Sequence, residues 1–137
     1  MRWVQTIPLF AYLLLVYNLV VFAVKLVPEL TLNMELWSLA MMSGAVFSVK
    51  MGEALLMIGV IALYVEIFKA TRGSTVSIFD HLFSMLTFVG FLVEYLLVAE
   101  AATAVFFTLM LMALLDVVAG FTVTIASARR DIGVHAE

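Results

Sequence analysis

The sequence predicts an all-α membrane protein: a four-transmembrane-helix bundle with a short interfacial hairpin or cap between helices 1 and 2. Three observations predict it. Hydrophobic residues make up 66% of the chain, charged residues only 12%, and the mean hydropathy is +1.21. A soluble domain of this size has much surface for its volume and needs a larger polar shell. The apolar residues come in runs of about twenty, the length that crosses a bilayer, rather than the shorter runs of buried core helices. Finally, the lysines and arginines collect where those runs end.

Helix 1 is expected over about residues 4–25. Arg2 and Val21-Phe22-Ala23 imitate a secretory signal, but the apolar stretch Val4–Val24 outruns the ~7–15 residues of a signal core, so it is read as a membrane helix. Pro8 falls in its first turn, where a missing N–H costs least, and Pro28 stops it. Residues 29–51 are too often interrupted for a span, by Glu29, Asn33, Glu35, Ser38, Ser43, Gly44, Ser48 and Lys50. Two short apolar segments flank Met42-Ser43-Gly44, which reads as a turn, so a β-hairpin or extended cap on the membrane surface is expected; a short amphipathic helix is the rival. Trp37 suits the interface in both. Helix 2 follows over about 52–69, and helix 3 over about 78–98, capped by Ser74, Thr75 or Ser77. After a short turn at Glu100, helix 4 covers about 101–128, and a polar tail, 129–137, frays. The whole chain, 1–137, forms one membrane domain.

With four crossings, the N-terminus, the loop between helices 2 and 3 and the C-terminus share a side. That side holds Arg2, Lys69, Arg72, Arg129 and Arg130, against Lys25 and Lys50 on the other. The excess places both termini in the cytoplasm. The short-loop, four-span plan resembles that of many small bacterial membrane proteins, so a bacterial inner membrane is expected; the likeness is architectural and carries no function. Lys69 and Arg72 could grip an anionic headgroup, but basic residues in such a loop ordinarily serve topology alone.

Polar residues inside the spans are the candidate site. Side chains three and four apart share a helix face, and Asp80, Ser84, Thr87, Phe91 and Glu94 fall within an arc of ~80° on helix 3. Leu82, Leu86, Val89 and Val93 lie opposite, suited to lipid. Weaker inward lines run through Ala11, Asn18 and Lys25 on helix 1, Gly52, Leu56, Gly59, Leu63 and Glu66 on helix 2, and Leu109, Met112, Asp116 and Gly120 on helix 4. Small residues let helices approach closely in lipid. Depth pairs Lys25 with Glu94 near the outer end and gathers Glu66, Asp80 and His81 near the inner end. Asp116 lies near the midplane and needs a partner there, because an acid in hydrocarbon costs ~2.5–3.5 kcal/mol on insertion scales. Ser84, Thr87 and Asn18 lie at suitable depths.

These residues support two readings: a proton or cation path centred on Asp116, or a packing code that fixes helix register. The second is preferred, since every helix carries a polar residue at an inward position. The absence of cysteine excludes disulfides, zinc–thiolate and iron–sulfur sites and a cysteine nucleophile. His81 and the tail's His135 cannot together ligate a haem within one chain, the nine methionines are scattered, and Asp80-His81 with Glu66 makes only a weak metal signal. No cofactor is expected. A net charge of −3, dispersed along the chain, points to no nucleic-acid partner. The expected partners are the lipid bilayer and other membrane subunits or further copies of the chain. The expected role is non-catalytic, with ion conduction as the alternative.

Overall fold

The computed structural model describes residues 7–71 and 76–134. In chain order they form α1 (Leu9–Ala23), β1 (Glu35–Ala40), β2 (Val46–Lys50), α2 (Met51–Ala70), α3 (Val76–Leu97), a 3-10 turn (Ala99–Ala101) and α4 (Ala104–Val134). Among the described residues, three helical stretches are long and apolar enough to cross a membrane: Met51–Ala70, Phe79–Leu97 and Ala104–Ala126.

The first helix is shorter than the expected span over 4–25, whose first residues lie outside those described. Its 15 residues rise about 22 Å, against roughly 30 Å of hydrocarbon. Pro8 sets the start. It occupies the N-cap with extended backbone (ψ 142), and a residue preceding proline resists helical geometry, so the helix cannot extend back through Ile7. At the other end the chain turns through Val24–Val27, with Val27 N–H still reaching the Ala23 carbonyl at 2.7 Å, before Pro28.

Residues 35–50 fold as two antiparallel strands, with Trp37 opposite Val49, Ser38 opposite Ser48, Leu39 opposite Phe47 and Ala40 opposite Val46. The reversal needs Gly44, whose φ of +84° is a conformation that side-chain-bearing residues rarely adopt. Lys50 ends β2 and Met51 begins α2 with no linker. Glu53 accepts the Lys50 N–H at 2.9 Å, satisfying an orphan donor at the helix start. Met51 and Gly52 N–H groups donate to the Met34 and Leu32 carbonyls, both at 2.9 Å.

The boundary between α3 and α4 is made by Val98 and Ala102, neither in helical geometry. Thr103 then caps α4 by accepting the Phe106 N–H at 3.1 Å. The expected capping residues Ser74 and Thr75 of α3 lie outside the described residues, as does the Ser77 side chain. A further boundary differs from expectation: α4 runs on to Val134 rather than fraying from residue 129. Arg129 and Arg130 are good helix formers, and no proline interrupts them, so the helix propagates past the apolar stretch.

The helix α4 lies at the centre, packing chiefly on α2 and α3, while α1 touches all three. The core contains Phe10, Leu13 and Tyr17 of α1, Leu55 and Ala62 of α2, Phe91 of α3 and Phe106, Leu109, Met110 and Ala113 of α4. On α2, Gly52 and Gly59 are close-approach points: a methyl at Gly52 would stand 2.9 Å from Val105 Cγ2, and one at Gly59 2.9 Å from Leu109 Cδ2 and Met112 Sδ. The buried face of α1 runs through Phe10, Leu13, Tyr17 and Val20. The sequence line Ala11–Asn18–Lys25 is therefore about a residue's rotation, ~100°, away from the true inward face.

Candidate functional site

The polar residues gather in two groups at different levels of the bundle. One group is built on the C-terminal part of α2, the N-terminal half of α3 and the middle of α4. Glu66 is buried and binds twice: Lys69 Nζ lies 3.0 Å from its Oε2, and its Oε1 accepts the Leu9 N–H at 2.7 Å. Leu9 is the first residue of α1, so the carboxylate satisfies an orphan helix donor where the helix dipole favours negative charge. That contact ties the start of α1 to the end of α2. The buried Asp116 is hydrogen-bonded to the Ser84 side chain and lies within electrostatic reach of Glu66 and Lys69. Asp80 faces the same two groups and His81, and its Oδ1 is buried without a hydrogen-bond partner.

His81 crosses from α3 to α4. Thr124 Oγ1 donates to the Gly120 carbonyl at 2.9 Å. Its lone pairs then accept from His81 Nε2, 2.8 Å away, an assignment made from the hydrogen-bond network. The ring fits because position 120 has no side chain. A Cβ at Gly120 would fall 2.5 Å from His81 Nδ1 and 2.6 Å from Cε1.

The other group joins α1 to the turn before α4. Tyr17 hydroxyl lies 2.6 Å from Thr103 Oγ1 and 3.1 Å from the Glu100 carbonyl oxygen, so the cap of α4 is itself held by α1. Asn18 donates to the Leu14 carbonyl at 3.0 Å and also meets the Glu94 carboxyl. Lys25 is not the partner of Glu94 that depth alone indicates. It is exposed, with Nζ 5.4 Å from the centre of the Phe22 ring. Its position beyond the last regular turn of α1 lets the long stem snorkel outward.

Between the groups lies an apolar layer. The Phe91 and Phe106 rings sit 5.2 Å apart and Tyr17 meets Phe106 edge-on at 4.8 Å, with Leu13 and Leu109 buried alongside. Thr87 lies between Ser84 and Glu94 on the α3 stripe, but its hydroxyl donates to the Phe83 carbonyl of its own helix at 2.8 Å. The stripe read from α3 is thus real as a helix face and interrupted as a path: Asp116 takes Ser84, Glu94 takes Asn18, and Phe91 separates them.

Sequence reasoning passed over Tyr17, Thr103 and Thr124. The signal for Thr103 was its place as a capping residue before an apolar helix. Tyr17 and Thr124 gave no local signal, because each is identified only by what another helix brings to it. Among the described residues no group of three or more histidines, aspartates and glutamates is placed to hold a metal ion. No protein-family model, curated protein or solved structure matches the chain.

Proposed function

We propose that the chain is a small, non-catalytic multi-pass membrane protein that acts as a homo-oligomer or as a subunit of a larger membrane complex. In this reading α1 joins the three longer helices as a fourth span, both termini face the cytoplasm of a bacterial cell, and the hairpin lies at the outer surface of the inner membrane. One observation carries it: the intramembrane polar side chains join helices to one another on either side of a packed apolar layer. Glu66 joins α2 to α1, Ser84–Asp116 and His81–Thr124 join α3 to α4, and Tyr17 joins α1 to the cap of α4. Such contacts act as polar glue where lipid offers helices no hydrophobic reason to associate. The broad exposed apolar faces, including Leu15 and Leu19 of α1, Ile61 and Tyr64 of α2 and Leu115 of α4, suit lipid or neighbouring membrane helices.

The test is size and composition in mild detergent. A defined oligomer, or a stoichiometric membrane partner that co-purifies, is expected; a monodisperse monomer without partners would sink the reading. Proton or cation conduction is the second reading, favoured by the gathering of Glu66, Asp80 and Asp116 around the ammonium of Lys69. It requires an oligomer, because four helices enclose no wide pathway. Liposomes separate the two: the first reading expects no flux above empty vesicles, whereas flux that Asp116→Asn abolishes would replace it with the second.

A further inference from the structure

The hairpin presents an apolar face that is exposed except at Val49, which is buried beside the start of α2. Its register puts Trp37 and Leu39 of β1 beside Val49 and Phe47 of β2 on one face, and Ser38, Ala40, Val46 and Ser48 on the other. The Trp37 and Phe47 rings touch edge-on at 6.3 Å, yet Trp37 is 53% exposed, Leu39 50% and Phe47 44%, and Met42 at the tip is fully exposed. From Leu36 to Val49 there is no charged residue, although exposed sheet edges in water are normally guarded by charge. An isolated two-stranded hairpin is marginal in water, so a third layer must cover this face.

We infer that the covering layer is the lipid interface: the Trp37–Leu39–Phe47 face lies in the headgroup and upper acyl region and anchors the start of α2. This rests on the membrane reading above. Position argues for lipid over a second copy. The sheet leaves α2 without a linker, and the Met51 and Gly52 backbone bonds to Met34 and Leu32 keep its base at the end of the span. Val49, the partner of Trp37, is two residues from Met51, so the chain holds it within about 7 Å of the helix start at ~3.3 Å per residue. That is the level at which tryptophan collects in membrane proteins. The apolar surface is then continuous from the lipid-facing side of α2 onto the hairpin, and the opposite face, which carries Ser38 and Ser48 with Ala40 and Val46, turns away from the lipid.

Trp3 and Trp37 are the two tryptophans of the chain, so Trp3→Phe leaves Trp37 as the sole reporter. The full chain is placed in phosphatidylcholine vesicles carrying bromine either near the headgroup or near the acyl-chain end. Expected are blue-shifted emission, quenching several-fold stronger by shallow than by deep bromine, and protection from aqueous acrylamide. Acrylamide quenching without bromolipid quenching would put the face in water. Blue-shifted emission untouched by either bromolipid would put it under protein; both results overturn the inference. A control carrying Trp3→Phe, Trp37→Phe and Ile61→Trp reports from the exposed side of α2. Deep quenching there with none at Trp37 rejects the inference and leaves the membrane reading standing. No quenching at position 61 rejects the membrane reading itself. Helical circular dichroism confirms that each variant is folded.

Discussion

Replacing Gly120 with alanine tests the α3–α4 joint directly. The added methyl would stand 2.5 Å from His81 Nδ1 and 2.6 Å from Cε1, well inside van der Waals contact. The ring must therefore swing away, breaking its 2.8 Å contact with Thr124. Overpacking of this kind costs about 1–3 kcal/mol. An interhelical hydrogen bond within a bilayer is worth about 0.6 kcal/mol on average and up to ~1.7. Against these, alanine gains about 0.5–1 kcal/mol over glycine in a helix interior. The balance leaves Gly120→Ala destabilised by about 1–3 kcal/mol. Gly90→Ala is the matched control, because its methyl would meet only Leu14 Cδ2 at 3.6 Å, an ordinary contact; it should be neutral or stabilising by up to ~1 kcal/mol. The assay is an unfolding titration in mixed detergent micelles, followed by helical circular dichroism. A His81→Ala background should erase the cost of Gly120→Ala, since the clash is with that ring alone. Gly120→Ala at least as stable as Gly90→Ala, or a cost that survives His81→Ala, would refute the packing argument.

Other contacts make separate predictions. Glu66→Gln keeps an acceptor for the Leu9 N–H and should be mild, whereas Glu66→Leu removes it and should cost about 0.5–2 kcal/mol, the range for a lost helix cap; faster amide exchange in the first turn of α1 is the readout. Tyr17→Phe removes the hydroxyl from Thr103 and Glu100 and should cost about 1 kcal/mol, with unchanged stability counting against the joint between α1 and the cap of α4. Lys25→Ala and Glu94→Gln should combine additively within ~0.5 kcal/mol, because the two side chains are not paired. A larger coupling in that double-mutant cycle would show that they meet after all.

The polar stripe of α3 was legible because that helix is amphipathic: Asp80, Ser84 and Glu94 contrast with Leu82, Leu86 and Val93, so the pattern alone separates its two faces. α1 carries no such contrast. Its mid-helix amide, Asn18, suggests an inward face along Ala11–Asn18–Lys25, but the buried line is Phe10, Leu13, Tyr17 and Val20. A bilayer is as apolar as a protein core, so hydropathy cannot tell a lipid-facing leucine from a core-facing one. Asn18 marks a partner, Glu94, reached from the flank of the helix. The glycines were legible as points of close approach, but the identity of each neighbour was not.

The ends of the first helix, Leu9 and Ala23, the sequence by itself did not determine; it did determine roughly where the three long apolar helices lie and that Gly44 reverses the chain in the segment between the first two helices. These follow from backbone chemistry and from runs of apolar residues, which act locally. Tertiary structure alone decided which acid meets which hydroxyl, that Lys25 turns away from Glu94, and that Phe91, Phe106 and Leu109 divide the polar residues into two groups. Those outcomes depend on the rotation and depth of each helix against its neighbours. They are set by the summed packing of many side chains around α4, and no local stretch of sequence contains that sum.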